Sequence, residues 1–312
     1  MTIKLVDLFS GTGAFSYVFE QYDCKCVYAN DILDESEQIY NLNHKNKMVK
    51  KDINLIELDE IPYHNIITAG FNCQPFSIAG KRQGFKDERS NVIWKLMSII
   101  EYHKPKIFII ENVKNLLTHN QGESFKKIYD ILDENYYIKY DILDTANIIP
   151  QHRERLYMIG FKHKKHYNHF NFDFDYPETI KPIKYYLQKN IDDKYYYTDR
   201  FSVFDTIDKS VVKTINDNVL YQYRRTHIRE NKSNVCPTLT ANIGTGGHNS
   251  PLLRDEYGVR KLSPRECFNL QGFPKKYKLP KICDSKLYKL AGNAVSVPII
   301  DLIANKLVDI LT

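Results

Sequence analysis

The feature that most constrains this chain is a repeated alternation of short apolar runs with longer amphipathic segments over residues 4–161. The apolar runs have the length of strands and lie at residues 4–9, 25–29, 47–51, 66–69, 107–110, 138–143 and 156–161. The segments with helical spacing lie at residues 15–21, 35–43, 92–102 and 124–135. Such alternation is typical of βαβ units, in which helices cover a parallel sheet. We therefore predict an α/β fold with a mostly parallel sheet and an antiparallel pair near residues 138–161.

The pattern changes after Phe161. Residues 170–258 show no alternation of strands with helices, and the segment TLTANIGTGG at 238–247 suggests tight turns. We predict a smaller, irregular, β-rich second domain there. Residues 298–311 return to an amphipathic helix, which we expect to pack on the first domain. The predicted domain boundaries are 1–162, 163–257 and 258–312.

Composition excludes several classes of protein. The 312 residues are 43% hydrophobic and 26% charged, which excludes a disordered tail and a collagen-like fibre. Lys and Arg outnumber Asp and Glu by 44 to 38, and this net charge of +6 fits a nucleic-acid partner without requiring one. The six cysteines include no CxxC pair, so we expect reduced thiols and no metal site. Because there is no long apolar run and no signal peptide, we expect no membrane span and a cytoplasmic location.

The first candidate site is the segment DLFSGTG at 7–13, where the first strand ends in a Gly-x-Gly turn that opens a helix. Small residues there let the backbone approach a ligand. Asp31 follows the second strand, about 20 residues further on, where an acidic side chain typically binds a ribose diol. Asp52 follows the third strand. These residues predict a nucleoside cofactor site. They do not distinguish NAD from S-adenosylmethionine as the cofactor, and a plain turn without a ligand also remains open.

Three further segments carry groups suited to catalysis near the same edge of the predicted sheet. Cys73 lies in the loop GFNCQPFS after the strand at 66–69, so it is a candidate nucleophile, although most single cysteines are inert buried thiols. Glu111 ends an apolar strand and is a candidate proton donor or a surface carboxylate. Arg153 and Arg155 point the same way on an extended segment, either toward a phosphate or base oxygen or into a salt-bridged edge.

The order of these motifs resembles that of the bacterial cytosine-C5 DNA methyltransferases. The resemblance rests on six segments, which are DLFSGTG (7–13), GFNCQPFS (70–77), ENV (111–113), QHRER (151–155), RKLSPRECFNLQGFP (260–274) and GNAVSVP (292–298). It covers roughly residues 1–162 and 258–312. The unmatched middle falls where that family has its variable target-recognition domain. The implied fold is a Rossmann-like S-adenosylmethionine-dependent methyltransferase sheet with a smaller recognition domain.

The resemblance also implies a mechanism for methylating cytosine at C5. Cys73 adds to C6 of the base, and C5 becomes nucleophilic. Glu111 donates a proton to N3, while Arg153 and Arg155 hold the base. Because a cytosine within a duplex cannot present C6 to a thiolate, the base must be flipped out of the helix.

The implied cofactor is S-adenosylmethionine. Phe9 is expected to stack on the adenine, and Gly11 and Gly13 to line the methionine. Asp31, with Ile32 beside it, is expected to bind the ribose. The remaining cofactor residues by resemblance are Asp52, Ile53 and Asn293. The sequence departs from the family pattern at Asn72, where proline usually precedes the cysteine, and at Asp31, where glutamate is more frequent.

The implied partner is double-stranded DNA. Basic residues of the loop after Cys73 are candidate phosphate contacts, namely Lys81, Arg82, Lys86 and Arg89. Candidate contacts in the recognition segment are Arg224, Arg225, Arg229, Thr240 and Gly246. By resemblance the protein acts as a monomer and protects host DNA beside a cognate restriction endonuclease, which need not bind it physically. The DNA sequence that is read cannot be deduced.

Three alternatives remain at this point. An RNA cytosine methyltransferase of the same fold is disfavoured by a recognition segment of about 95 residues at 163–257. A catalytically silent DNA-binding protein is disfavoured by the intact set of Cys73, Glu111 and Arg153. A nicotinamide dehydrogenase is supported only by the Gly-x-Gly turn and Asp31.

Overall fold

The computed structural model describes residues 2–71, 91–199, 204–224, 227–231, 234–243 and 251–312. The chain forms two compact units. Unit 1 consists of residues 1–143, 154–174 and 299–312, and unit 2 of residues 144–153 and 175–298. The predicted boundaries at 162/163 and 257/258 divide the chain differently. Within the described residues, no helix is both long and apolar enough to cross a membrane.

Unit 1 is built on a seven-stranded sheet among the described residues. Its strands are β1 (Lys4–Leu8), β2 (Lys25–Asp31), β3 (Val49–Lys50), β4 (Ile66–Gly70), β5 (Ile107–Val113), β6 (Tyr137–Asp144) and β7 (Glu154–Phe161). Their spatial order is β3-β2-β1-β4-β5-β7-β6. The pairs from β3 to β5 are parallel, whereas β7 runs antiparallel to β5. The expectation of a mostly parallel sheet is confirmed. The antiparallel pair predicted near residues 138–161 corresponds to β6 and β7, which are neighbours in the sheet, and the antiparallel partner shown for β7 is β5.

Helices cover this sheet because their apolar residues recur at helical spacing. The helices of unit 1 are α1 (Ala14–Phe19), α2 (Asp34–Asn43), α3 (Asn91–His103), α4 (Glu123–Asp133) and α5 (Lys164–His169). In α3, Ile93, Leu96 and Ile100 are buried on the predicted face. The strands β1, β4 and β5 are buried on both faces, as expected for parallel strands with helices on either side.

Unit 2 contains a four-stranded antiparallel sheet among its described residues, in the order β11-β10-β8-β9. The strands are β8 (Leu220–Tyr223), β9 (Ile228–Asn231), β10 (Pro251–Arg254) and β11 (Val259–Lys261). The accompanying helices are α6 (Phe204–Ser210), α7 (Pro264–Leu270) and α8 (Asp284–Asn293). The last helix, α9 (Val297–Leu311), lies almost entirely in unit 1, where its buried residues include Ile299, Ile303 and Leu307. The predicted class, an α/β fold with a smaller β-rich part, is confirmed.

Two strands extend further than the sequence pattern indicates. Strand β5 continues through Glu111 to Val113, because β7 pairs with it along its whole length. Glu111 therefore lies within a strand and not beyond its end. Strand β2 likewise continues to Asp31, since its last two residues pair with β3. The residue at which each strand ends is thus decided by main-chain pairing with a strand that is distant in sequence.

The contact between β5 and β7 yields a stability prediction. Gly160 lies opposite the fully buried Phe108, and a Cβ atom at Gly160 would overlap the phenylalanine ring. We expect Gly160→Ala to lower the free energy of unfolding by about 1–3 kcal/mol, the usual cost of overpacking a close-packed core. Urea unfolding followed by circular dichroism measures the change.

The second change of a double-mutant cycle serves as the control. Phe108→Leu alone should destabilise the chain, but in the Gly160→Ala background it should recover part of the loss, because it removes the overlapping ring atoms. Strictly additive losses would contradict the proposed clash.

Candidate active site

The turn after β1 is held by hydrogen bonds to two strand ends. Phe9, Gly11 and Gly13 adopt left-handed backbone angles, with φ of 54°, 52° and 72°. Ser10 donates from its hydroxyl to the carbonyl of Asp7 at 2.5 Å and from its main-chain N–H to the carbonyl of Asn30 at 2.8 Å. The turn is thereby fastened to both β1 and β2.

The two glycines of this turn have different surroundings. A Cβ atom at Gly13 would lie 2.5 Å from Nε2 of His44 and 2.9 Å from a ring carbon of Tyr40, so glycine is required there by packing against α2. At Gly11 the nearest atoms to such a Cβ are the Phe9 carbonyl at 3.8 Å and the Asp31 carboxylate at 3.9 Å. Gly11 thus leaves space beside a carboxylate, whereas the space at Gly13 is filled by protein.

Asp31 is positioned by the main chain at the end of β2. One carboxylate oxygen accepts the N–H of Gly11 and the other that of Leu33, each at 2.9 Å. Burial raises the pKa of Asp31 above its ordinary value, and these hydrogen bonds oppose that shift. Beside it, the apolar side chain of Ile32 has 60% of its surface exposed. A carboxylate, an open glycine and an exposed apolar side chain fit a ribose and an adjoining base.

The third predicted cofactor segment lies at the neighbouring strand end. Asn30 donates from its amide to the carbonyls of Val49 and Lys51, and so links β2 to the segment that precedes Asp52. Asp52 accepts the N–H of Asn54 at 2.9 Å. Ile53 is buried, with 4% of its surface exposed, and belongs to the core under the sheet edge.

A buried carboxylate lies beneath the turn. Asp7 is fully buried and accepts hydrogen bonds from the Ser16 hydroxyl at 2.7 Å, the Ser16 N–H at 3.3 Å and the Thr68 hydroxyl at 2.9 Å. These contacts join β1 to α1 and β4. Burial raises the pKa of Asp7 from 3.8 to about 6, because desolvation outweighs the hydrogen bonds.

Strand β4 leads into the loop that contains the predicted nucleophile. Its successor Phe71 is buried, and its ring centroid lies 5.6 Å from that of Phe9. The amide of Asn112 donates to the Phe71 carbonyl at 3.3 Å. Asn112 was not singled out by the sequence, although it is the middle residue of the ENV motif. The predictions at Asn72, Cys73, Lys81, Arg82, Lys86 and Arg89 lie outside the described residues.

Glu111 and Arg155 are brought together by the pairing of β5 with β7. Tyr157 lies opposite Glu111, and Arg155 opposite Val113, so the two charged side chains are diagonal neighbours on one face. Nε of Arg155 lies 3.3 Å from Oε1 of Glu111. Both side chains are largely buried, at 16% and 9% exposure. This arrangement pairs a carboxyl group with a guanidinium on one face of the sheet.

Arg153 has a different set of partners. Its guanidinium donates to the main-chain carbonyls of Leu239, Gly292 and Ala294 at 2.7–3.2 Å, all within unit 2. Only 2% of the residue is exposed. A Cβ atom at Gly292 would overlap the main chain of Thr240, so the two segments that Arg153 joins are in direct contact. Within unit 2, Arg153 thus holds residues 238–240 (TLT) against residues 292–294 (GNA).

The remaining predicted residues lie in unit 2. Asn293 is the last residue of α8, and the Thr240 hydroxyl donates to the side chain of Asn242 at 2.6 Å. Arg224 follows β8, and Arg229 is exposed on β9. The predictions at Arg225 and Gly246 lie outside the described part of the chain.

Comparison with known proteins identifies relatives along the whole chain. The sequence model of the family described as C-5 cytosine-specific DNA methylase matches residues 3–309. Type II methyltransferase M.Bsp6I of a Bacillus species is 43% identical, with 98% of each chain covered. Type II methyltransferase M.HaeII of Haemophilus aegyptius is 35% identical over 99% of this chain and 93% of its own. The Entamoeba histolytica methyltransferase EhMeth shares the fold, with a TM-score of 0.79 at 21% identity over 100% of this chain and 99% of its own. The resemblance carried by the six motifs is confirmed.

The buried Asp7 yields a prediction on pH dependence. Its raised pKa means that the folded chain binds a proton there more tightly than the unfolded chain does. Wild-type stability therefore falls at this site as the pH rises from about 5 to about 7, whereas asparagine cannot titrate. We expect the stability difference between the wild type and Asp7→Asn to shift by about 1 kcal/mol in favour of the variant over this window. Urea unfolding at each pH measures it, and a difference that is constant or shifts toward the wild type would contradict the assignment.

Proposed function

The chain belongs to the C-5 cytosine-specific DNA methylase family and is a DNA cytosine-5-methyltransferase, and from this premise we propose a specific reaction. It transfers a methyl group from S-adenosylmethionine to C5 of a flipped-out cytosine in a short, specific sequence of double-stranded DNA. The reaction passes through a covalent bond between Cys73 and C6. The relatives named as type II methyltransferases support a role in protecting DNA from a restriction endonuclease. We further propose that the protein acts as a monomer.

The Glu111–Arg155 pair is the observation that carries this proposal. A buried carboxyl group can hold and deliver a proton, while the guanidinium supplies hydrogen-bond donors beside it. N3 and O2 of cytosine are adjacent acceptors on one ring edge and match such a pair. Asn112 lies next to Glu111 and binds the carbonyl of Phe71, which directly precedes the loop of Cys73. One strand thus carries the proposed acid and binds Phe71, the last described residue before the segment that contains Cys73.

The proposed roles of the side chains account for each proton and bond. The Cys73 thiolate forms a bond to C6, and Glu111 donates a proton to N3, so that no negative charge accumulates on the ring. C5 is then nucleophilic. C5 takes the methyl group as the bond between that group and its donor sulfur breaks. Water then takes the proton on C5, the bond between Cys73 and C6 breaks with its electron pair returning to the Cys73 sulfur, and the proton on N3 returns to Glu111. Arg155 holds the base during these steps.

The candidate cofactor residues fit S-adenosylmethionine. When bound, it supplies the methyl group that C5 accepts. The open side of Gly11, the Asp31 carboxylate and the exposed Ile32 support a ribose and base at the turn. We assign to the same site the residues Phe9, Gly13, Asp52, Ile53 and Asn293. The space beside Gly13 is occupied by side chains of Tyr40 and His44, so the role of Gly13 is to let the turn pack closely on α2.

Duplex DNA is the proposed substrate. The target cytosine must therefore leave the helix before a thiolate can reach C6. The net charge of +6 favours phosphate binding, which offsets the cost of unpairing the base. Lys81, Arg82 and Arg89 are the proposed phosphate contacts in the loop. Arg224, Arg225, Arg229, Thr240 and Gly246 are the proposed DNA contacts in the recognition segment.

Bisulfite sequencing of mixed-sequence DNA tests the reaction. Purified protein with S-adenosylmethionine should protect cytosines in one short motif. Cys73→Ser should abolish protection, because an alcohol is far less ionised than a thiol at neutral pH. Cys283→Ser is the matched control, since Cys283 is an exposed cysteine that we assign to no site, and it should retain wild-type activity. Protection of RNA alone, or full activity of Cys73→Ser, would refute the proposal.

Because Arg153 and Arg155 have different partners, we expect their substitution to have different effects. Arg155→Lys removes the planar donor beside Glu111, so we expect kcat to fall at least about tenfold with little change in thermal stability. Arg153→Lys leaves buried carbonyl groups without donors, at about 1–3 kcal/mol each, so it should lower the unfolding temperature. Single-turnover methylation and thermal unfolding separate the two effects. A stable but inactive Arg153→Lys, together with an active Arg155→Lys, would reverse the assignment.

A further inference from the structure

The sheet of unit 2 has two different faces. Tyr221, Leu252 and Val259 lie on one face and belong to an apolar core that also contains Ile207 of α6. Side chains of the opposite face toward β11 are also buried. There Arg260 binds Glu266 of α7 through both terminal nitrogens, at 2.8 and 3.0 Å.

The same opposite face becomes polar and open toward the β8–β9 edge. Gln222 of β8 lies directly opposite Arg229 of β9, so both side chains are on one face. Gln222 is half-buried and Arg229 is exposed. The one carboxylate of these two strands, Glu230, lies opposite Tyr221 on the other face and pairs with Lys213 at 2.9 Å. The face with Gln222 and Arg229 therefore has donors and no negative charge from its own strands.

Arg229 also differs from four other arginines of unit 2. Arg254 and Arg260 bind carboxylates, and Arg153 and Arg265 bind main-chain carbonyls. Among the described residues, no hydrogen bond or ion pair involves the Arg229 side chain. Because Arg229 lies on an extended strand, the direction in which its side chain leaves the sheet is set. Its guanidinium group remains available to a ligand.

We propose that the Gln222–Arg229 pair reads the edges of two neighbouring base pairs in the major groove of the duplex. This inference rests on the proposed function and adds to it the element that selects the sequence. Among the described strands β9 is at the edge of this sheet and β8 is its neighbour. Strands of a sheet can enter the major groove, where glutamine pairs with adenine and arginine with guanine. Opposite side chains of an antiparallel pair start about 5 Å apart, close enough to contact successive base pairs, which are about 3.4 Å apart.

Arg229→Lys tests this proposal because it keeps the charge and removes the bidentate fork. Methylation of a DNA library with every base of the target motif varied, read by bisulfite sequencing, gives the discrimination at each position. We expect Arg229→Lys to lower the discrimination at one base pair by about 5- to 150-fold and to leave the other positions unchanged. Gln222→Ala should relax a neighbouring position. Arg229→Gln should shift the preference at the arginine's own position from guanine toward adenine.

Lys209→Gln is the control for loss of charge, because Lys209 is an exposed basic residue of α6 in the same unit. It should leave discrimination unchanged at every position. A uniform loss of activity across all sequences in the Arg229 variants, with a weaker salt dependence, would identify a phosphate contact and overturn the proposal. Unchanged discrimination in Arg229→Lys and Arg229→Gln would overturn it as well. If the wild type protects no cytosine, the proposed function itself fails, whereas a specific wild type with equally specific variants refutes only this inference.

Discussion

The parallel pairing of β1 with both β2 and β4 is the interaction on which the candidate active site depends. In this register Leu8 lies opposite Asn30 on one side and Ala69 on the other, so the segments that follow three strands begin at one level. The pairing of Gly70 with Glu111 extends the same level to β5. Main-chain hydrogen bonds therefore assemble the turn, Asp31 and Glu111 at one edge. Ligands of open α/β sheets bind at the carboxyl ends of the strands, so this edge is where a ligand is expected.

Buried polar side chains then hold together the segments that this edge brings close. Asp7 binds α1 and β4, Asn30 binds the end of β3, and Asn112 binds the residue after β4. In unit 2, Arg153 binds two segments distant in sequence. A buried polar group costs free energy unless its hydrogen bonds are made, so each of these residues specifies one arrangement of its partners. Several polar residues of the recognised motifs are therefore buried and hydrogen-bonded to other parts of the chain.

Sequence patterns predicted most elements because hydrophobic periodicity is a local property. The apolar runs of β1, β4 and β5 and the buried face of α3 follow from burial on known periods. They did not predict that β5 continues through Glu111, since that depends on the antiparallel partner β7. The sheet of unit 2 was anticipated only as β-rich, because its strands are four residues or shorter and pair across connections that carry no period. Asn112 was missed because its role lies in a carbonyl some forty positions away.

By itself the sequence determined the fold class and the family, and it predicted the reacting groups, since all three inferences depend on residue types at given spacings. Only the tertiary structure decided how neighbouring residues of a motif divide their work. The space beside Gly11 is open, whereas the space beside Gly13 is filled by other side chains, although both glycines belong to one turn. Arg153 and Arg155 are two residues apart, yet one binds carbonyl groups of unit 2 and the other lies beside Glu111. The physical reason is that spacing sets the direction of a side chain, whereas its partner comes from a distant segment that folding brings within a few ångströms.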